Sequence, residues 1–420
     1  MFSILHNINY SSEEIANIFD NQYFNTKRRK KSDLLDNDTV LVRQELKQSS
    51  EKVEMYKTLL HSMRNVAKKN YTVKETKEHR RPRIQYCGYK PHGNDNNPIK
   101  LCSSEKGNLF FSGLANCGGY WRCPVCALKI ANNKQELLSA LITSHQKEGK
   151  TIGFLTLTVR HSAKDPLIKT LDKLLSNFKA FQNTRWYQDN KKEIELFGMV
   201  KTLEITYSFL NGWHPHLHVL FFYDNSKGAS SIEFQKRFIS RWSKFRDNNG
   251  LVSAQNQKIL TTDISDYLAK YDITHEMTKG NIKGSKGLTP FTCLAKIALG
   301  DYEDYQQKRL LYWVYATYVE YTQGRHYVNI SRSLLKKYAE QIEEFNKTDQ
   351  EIVDETNIDE ILLKISLPVW RKIALNDLQP LVLNKYKENG LNSVYNLLTY
   401  FNDFKDLQIE IDKHNIPLLI

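Results

Sequence analysis

Trp213-His214-Pro215-His216-Leu217-His218-Val219-Leu220 is the stretch on which the reading of this chain turns. Side chains alternate along a β-strand, so His214, His216 and His218 share one face while Leu217 and Val219 share the other. Three imidazoles on a rigid sheet, with branched apolar groups beneath them, offer nitrogen ligands to a metal. The preceding run, from Met199 to Phe209, is rich in β-branched and aromatic residues, and Leu210-Asn211-Gly212 supplies a turn. The two runs therefore read as a hairpin. A turn centred near residue 210 sets Glu204 opposite His216, on the histidine face, with Thr202 and Thr206 as its neighbours. A mixed imidazole and carboxylate set suits Mn²⁺ or Mg²⁺ better than a structural zinc.

Outward from the hairpin, TIGFLTLTVRH, which begins at Thr151, reads as a buried strand. Before it, a helix starts near Pro124 and stops at Gly149, with Ile130, Leu137, Leu138, Leu141 and Ile142 on one face. An amphipathic helix follows in LIKTLDKLLSNFKAFQ. Further helices are expected over Ser231–Phe245, around Tyr267 and over Asp301–Tyr321. In the segment Asp263-Ile-Ser-Asp-Tyr267-Leu-Ala-Lys270-Tyr271, helical spacing sets Lys270 and Tyr271 beside Tyr267. A phenol, with a pKa of about 10, is a weak nucleophile unless activated. A neighbouring ammonium and a nearby metal favour the phenolate and also neutralise phosphate charge.

Five of the six cysteines crowd into residues 87–126 of a long chain that lacks the basic-then-apolar start of an export signal, which points to metal rather than disulfides. Cys123-Pro-Val-Cys126 is a knuckle whose two thiolates can reach one zinc, and Cys117 lies just upstream. For the fourth ligand Cys87, followed by Gly88 as at a tight turn, ranks first, Cys102 second and His92 third. Cys293 reads as a core residue.

The 420 residues carry 60 Lys and Arg against 47 Asp and Glu, a formal charge of +13. The excess is uneven. Residues 341–420 hold 14 acidic and 8 basic side chains, which leaves +19 on residues 1–340. A polyanion is the natural partner of that larger piece. No apolar run is long enough to span a bilayer, so the sequence predicts a cytoplasmic protein with no membrane contact. The expected organisation is a basic, partly helical arm over 1–83, a zinc-binding module over 84–132, a catalytic domain over 133–345 and an acidic helical region over 346–420.

FLTLTVRH, WHPHLHVL and YLAKY occur in that order, and together they resemble the rolling-circle replication initiators of plasmids and phages, within the HUH (His-hydrophobic-His) endonuclease superfamily. FSGLANCGGYWRCPVCALKIANNKQEL, LTPFTCL and GRHYVNISRSLL look like the plasmid replication-protein branch, and the resemblance covers roughly residues 84 to 340. It implies an α+β fold. A central antiparallel, palm-like sheet carries the metal on its open face and helices on the other; a zinc module precedes it and a helical appendix follows.

The HUH pair falls on His216 and His218, with Glu204 as the third ligand and His214 as its rival. The nucleophile falls on Tyr267, its lysine on Lys270, a second tyrosine on Tyr271 and a water-activating carboxylate on Asp263. The implied activity is Mn²⁺- or Mg²⁺-dependent nicking and joining of one DNA strand at an origin, through a covalent 5′-phosphotyrosyl link that leaves a free 3′ hydroxyl. Zn²⁺ is the implied structural metal; host helicase and DNA polymerase are the implied partners, and the oligomeric state, a dimer included, stays open. An HUH transposase or relaxase, or a zinc-containing DNA-binding protein without catalysis, is the alternative reading.

Overall fold

The computed structural model describes residues 59–69, 83–93, 97–105, 107–224, 231–246, 287–356, 358–412 and 414–420. They divide into two units, one built from Tyr120–Lys347, the other from the described residues up to Gly119 together with Thr348–Ile420. Among the described residues, no helix is long and apolar enough to cross a membrane.

The second of these units begins with a helix over residues 59–69 (α1), which buries Leu59, Leu60, Met63 and Ala67 at helical spacing. Strands β1 (Ile99–Ser103) and β2 (Leu109–Ser112) pair antiparallel.

The unit over Tyr120–Lys347 opens with α2 (Pro124–Lys147). Proline occupies its first turn, where no amide donor is needed, and Gly149, at φ +74°, ends it. Next come β3 (Thr151–Leu157), α3 (Leu167–Gln182), α4 (Arg185–Glu193), β4 (Leu196–Ser208), β5 (Gly212–Tyr223) and α5 (Ser231–Ser243). After the residues not described come α6 (Pro290–Leu299), α7 (Tyr305–Thr322), β6 (Val328–Ile330), α8 (Arg332–Lys337) and α9 (Ala339–Ile342). Four strands form one antiparallel sheet in the order β3-β5-β4-β6, so the histidine strand is interior, hydrogen-bonded on both edges.

Both faces of this sheet are covered over part of their extent, which corrects the expectation of one open face. The reason is the parity of β5: Leu220 and Phe222 continue the face of the histidines. With Ile152, Phe154 and Val200 they form a core with Leu137, Leu138, Leu141 and Ile142 of α2 and with Leu334, Tyr338 and Ile342. His145 is buried there. Its Nε2–H donates to the Tyr223 carbonyl at 3.3 Å, and its Nδ1 accepts from the Tyr338 hydroxyl at 2.8 Å. Burial pushes its pKa down to about 4. On the opposite face Phe221 meets Phe234 and Phe238 of α5.

The C-terminal residues complete the second unit and are not purely helical, against expectation. Helices α10 (Asp349–Asp354), α11 (Leu367–Leu375) and α12 (Gln379–Thr399) alternate with β7 (Glu360–Ile365), β8 (Ile409–Ile411) and β9 (Pro417–Leu419). The five strands of this unit run β2-β1-β7-β9-β8, with β7 antiparallel to β1 and parallel to β9. Leu363 and Ile365 of β7 enter a core with Leu101, Trp370 and Leu398, and that burial is what a sequence read for helices misses. Trp370 is fully buried, and its indole N–H donates to the Tyr89 carbonyl at 2.8 Å.

Candidate active site

Strands β4 and β5 close through Phe209–Asn211, and Gly212 sits at φ +70°. A Cβ at Gly212 would lie 2.6 Å from the Ala163 carbonyl oxygen, so only glycine lets the hairpin end pack against that loop. The register pairs Glu204 with His216, Thr202 with His218 and Thr206 with His214, as the turn arithmetic requires.

Glu204, His216 and His218 meet. The Nε2 of His218 lies 2.9 Å from Glu204 Oε2, and Nδ1 of His216 lies 3.7 Å from the same oxygen. Burial opposes the charge of the Glu204 carboxylate, but the two imidazoles outweigh it and hold its pKa far below the usual carboxylate range. It is an anion poised between two imidazole nitrogens. His218 is buried, its ring parallel to Phe154 with centroids 5.8 Å apart, and its Nδ1 lies 2.9 Å from Thr156 Oγ1 of β3. His216 Nδ1 is buried and makes no hydrogen bond among the described residues. An anionic oxygen, an orphaned ring nitrogen and a second imidazole make a donor set that fits a divalent cation.

His214 lies further along the same face, its ring centroid 4.2 Å from that of His216. Its hydrogen-bond partner is the Nε2 of His161, at the end of the segment after β3. Burial, then the charges of His216 and His161, push the His214 pKa down to about 3, and burial lowers that of His161 too. Both rings are therefore neutral near pH 7, one donating to the other. His161 is the residue that sequence reasoning passed over. It ends TIGFLTLTVRH, but nothing local says that β3 pairs beside β5 and brings it to His214. Tyr267, Tyr271, Lys270 and Asp263 lie outside the described residues.

Cys87, Cys117, Cys123 and Cys126 are all buried, and their sulfur atoms lie within 4.8 Å of one another, so this quartet can hold a metal ion. Among the described residues it is the one such group gathered so tightly. Cys102 is not part of it. That side chain sits on β1 between Phe110 and Ile361, where burial pushes its thiol pKa up to about 11. His92 is exposed, and Cys293 is a core residue of α6 whose thiol is pushed up to about 12 by burial. Gly88, at φ +60°, lets the chain pass Arg64, whose guanidinium occupies the place of a Cβ. Arg64 is itself buried, donates to His61 Nδ1 at 3.0 Å and has no carboxylate partner among the described residues.

Known proteins resemble parts of the chain. A protein of Streptomyces lividans called "Protein rep" is 28% identical over 148 residues, covering 29% of this chain and 32% of that protein. A "Neomycin resistance protein" of Streptomyces cyanogenus is 27% identical over 132 residues, covering 26% of this chain and 30% of that protein. The chain thus spans about a third of the length of these curated relatives. No solved structure matches. The family model described as "Replication protein" matches residues 115–365, which include the hairpin, its histidines, three cysteines of the quartet and β7; spanning more than half of the chain, that match shows that it belongs to the replication protein family.

Proposed function

We propose that this protein initiates rolling-circle replication by nicking one DNA strand at an origin and joining it to a tyrosine. The observation that carries the reading is the meeting of Glu204, His216 and His218 on one face of the β4–β5 hairpin, in a chain of the replication protein family. Mn²⁺ or Mg²⁺ held by these three side chains would polarise the scissile phosphate as a Lewis acid. Glu204 would supply the negative charge to hold the cation, and His218 would offer it the Nε2 lone pair with Nδ1–H donating to Thr156 Oγ1. His214 and His161, neutral and paired, border the site and buttress His216.

The phenolate oxygen of Tyr267 attacks phosphorus. A P–O bond to tyrosine forms as the bond to the 3′ oxygen breaks, and that oxygen takes up a proton to become the 3′ hydroxyl that primes synthesis. In this reading Lys270 favours the phenolate and neutralises phosphate charge, Tyr271 serves a second transfer and Asp263 activates water at termination. The bond energy of the phosphodiester is conserved in the tyrosyl linkage, so no nucleotide cofactor is required. The cysteine quartet, in this reading, binds one structural zinc, and host helicase and polymerase act on the opened strand.

Single-stranded oligonucleotides from DNA flanking the gene, incubated with Mn²⁺ or Mg²⁺, provide the test. Wild-type protein cleaves and becomes covalently linked to the 5′ phosphate of the downstream fragment, leaving the upstream fragment with a free 3′ hydroxyl; His216→Ala and His218→Ala abolish cleavage, and Tyr267→Phe binds DNA without forming the adduct. Mapping the nucleotide to Tyr271 alone would exchange the two tyrosines. Absence of any adduct would remove the phosphotyrosyl mechanism.

A further inference from the structure

Helix α7 carries a stripe that the site does not use. Tyr305, Arg309 and Trp313 stand four residues apart, on one helix face, and all three are exposed, Tyr305 by 70% and Trp313 by 49%. Arg309 faces the Tyr305 ring at 6.0 Å and makes no ion pair with a described residue. The stripe continues onto the end of the β4–β5 hairpin. The Trp313 ring lies 5.9 Å from Tyr207 and 6.1 Å from Trp213, and Tyr207 in turn meets Phe209, which is 56% exposed. Large aromatic surface left in water beside an unpaired guanidinium is costly for solubility and uncommon unless something covers it.

We propose that this aromatic stripe is a stacking platform for the bases of single-stranded DNA, with Arg309 meeting its phosphates. The inference rests on the nicking function above for the identity of the ligand. Every base has a π-face, so exposed aromatic rings accept bases without regard to sequence, while an arginine between them tracks the backbone. A second copy of the chain is the poorer occupant: an isologous contact centred on the stripe would bring Arg309 against its own copy. The placement also fits the chemistry. Trp213 and His216 are three residues apart on β5, about 10 Å along the strand, and their side chains emerge on opposite faces. DNA whose scissile phosphate lies at the histidines therefore has only to round the hairpin end to reach the exposed Phe209 and Trp313, which Trp213, itself buried, backs from below.

Fluorescence anisotropy with full-length protein tests this, using labelled oligo(dT) and an abasic oligonucleotide of equal length. Trp313→Ala should weaken oligo(dT) binding about ten-fold and leave the abasic strand unaffected; Trp313→Phe should retain most of the affinity. Arg309→Ala should weaken both strands, because it acts on the backbone. Wild-type affinity for oligo(dT) in Trp313→Ala overturns the platform, and so does an equal loss on both strands. So does a concentration-dependent dimer, seen by light scattering, that Trp313→Ala dissociates; that result would make the stripe a contact between copies. Because the readout is binding, a protein that stacks oligo(dT) through Trp313 yet never cleaves would refute nicking alone. One that cleaves and is indifferent to Trp313 would refute the platform alone.

Discussion

Replacing Thr156 by valine removes one hydroxyl and little else, and the structure fixes what should follow. Thr156 pairs in register with His218 across β3 and β5, and its Oγ1 lies 2.9 Å from His218 Nδ1, both side chains being buried. Without a cation, His218 Nε2–H donates to Glu204 and Nδ1 accepts from the threonine hydroxyl. With a cation held as proposed, Nε2 would present its lone pair, so the proton would sit on Nδ1 and donate to Thr156 Oγ1. A hydroxyl serves both states because it can donate or accept. Valine serves neither.

A buried donor left without a partner costs about 1–3 kcal/mol, and loss of a residue that orients a metal-binding histidine weakens metal affinity by about 10–100-fold. The cation-free state also loses a hydrogen bond, which cancels part of the difference, so the lower end is expected: a rise of about ten-fold in the half-saturating Mn²⁺ concentration for nicking. The rate at saturating Mn²⁺ should change little, and Thr156→Ser should restore the wild-type titration because it keeps the hydroxyl. An unshifted Mn²⁺ titration in Thr156→Val, or a serine variant that behaves like valine, would refute the reasoning.

Three other outcomes follow from single features. His145 is buried with a pKa near 4 against about 6.5 when unfolded, so the unfolded chain binds the extra proton between those values and stability falls as pH falls; the share of His145 in the loss between pH 7 and pH 5 should be about 2 kcal/mol in urea unfolding, added to that of the buried His214 and His161, and His145→Gln should remove that share alone. Metal analysis should find zinc in the wild type and in Cys102→Ser but not in Cys123→Ser or Cys87→Ser, and a metal-free wild type would remove the quartet as a zinc site. Gly212→Ala must adopt φ +70° and push its methyl into Ala163, which should cost about 1–3 kcal/mol in thermal unfolding; an unchanged midpoint would mean that the hairpin end is not held against that loop.

What the sequence made legible is what local rules govern. Pro124 and Gly149 bound α2, and the turn before Trp213 sets Glu204 against His216, because a two-stranded register follows from its loop alone. Gly88 marked Cys87 as the cysteine at a turn, and it is there that Arg64 leaves no room for a side chain. The features that escaped depend on partners far along the chain. Strand β7 pairs with β1 across more than half of the sequence, and β8 and β9 are only three residues each, too short for periodicity to speak. The second covering of the histidine face was written in the parity of Leu220 and Phe222, but a run reading His-Leu-His-Val-Leu-Phe-Phe looks equally apolar on either side until α2 is known to pack there. Thr156 and His161 are the sharpest case. Both belong to TIGFLTLTVRH, a segment recognisable as a strand and mute about chemistry, and each acquires its role only when β3 aligns with β5 and sets one against His218 and the other against His214. In the proposed site the histidine strand thus supplies the imidazoles, while the neighbouring strand, whose sequence names no function, determines which nitrogen each can offer.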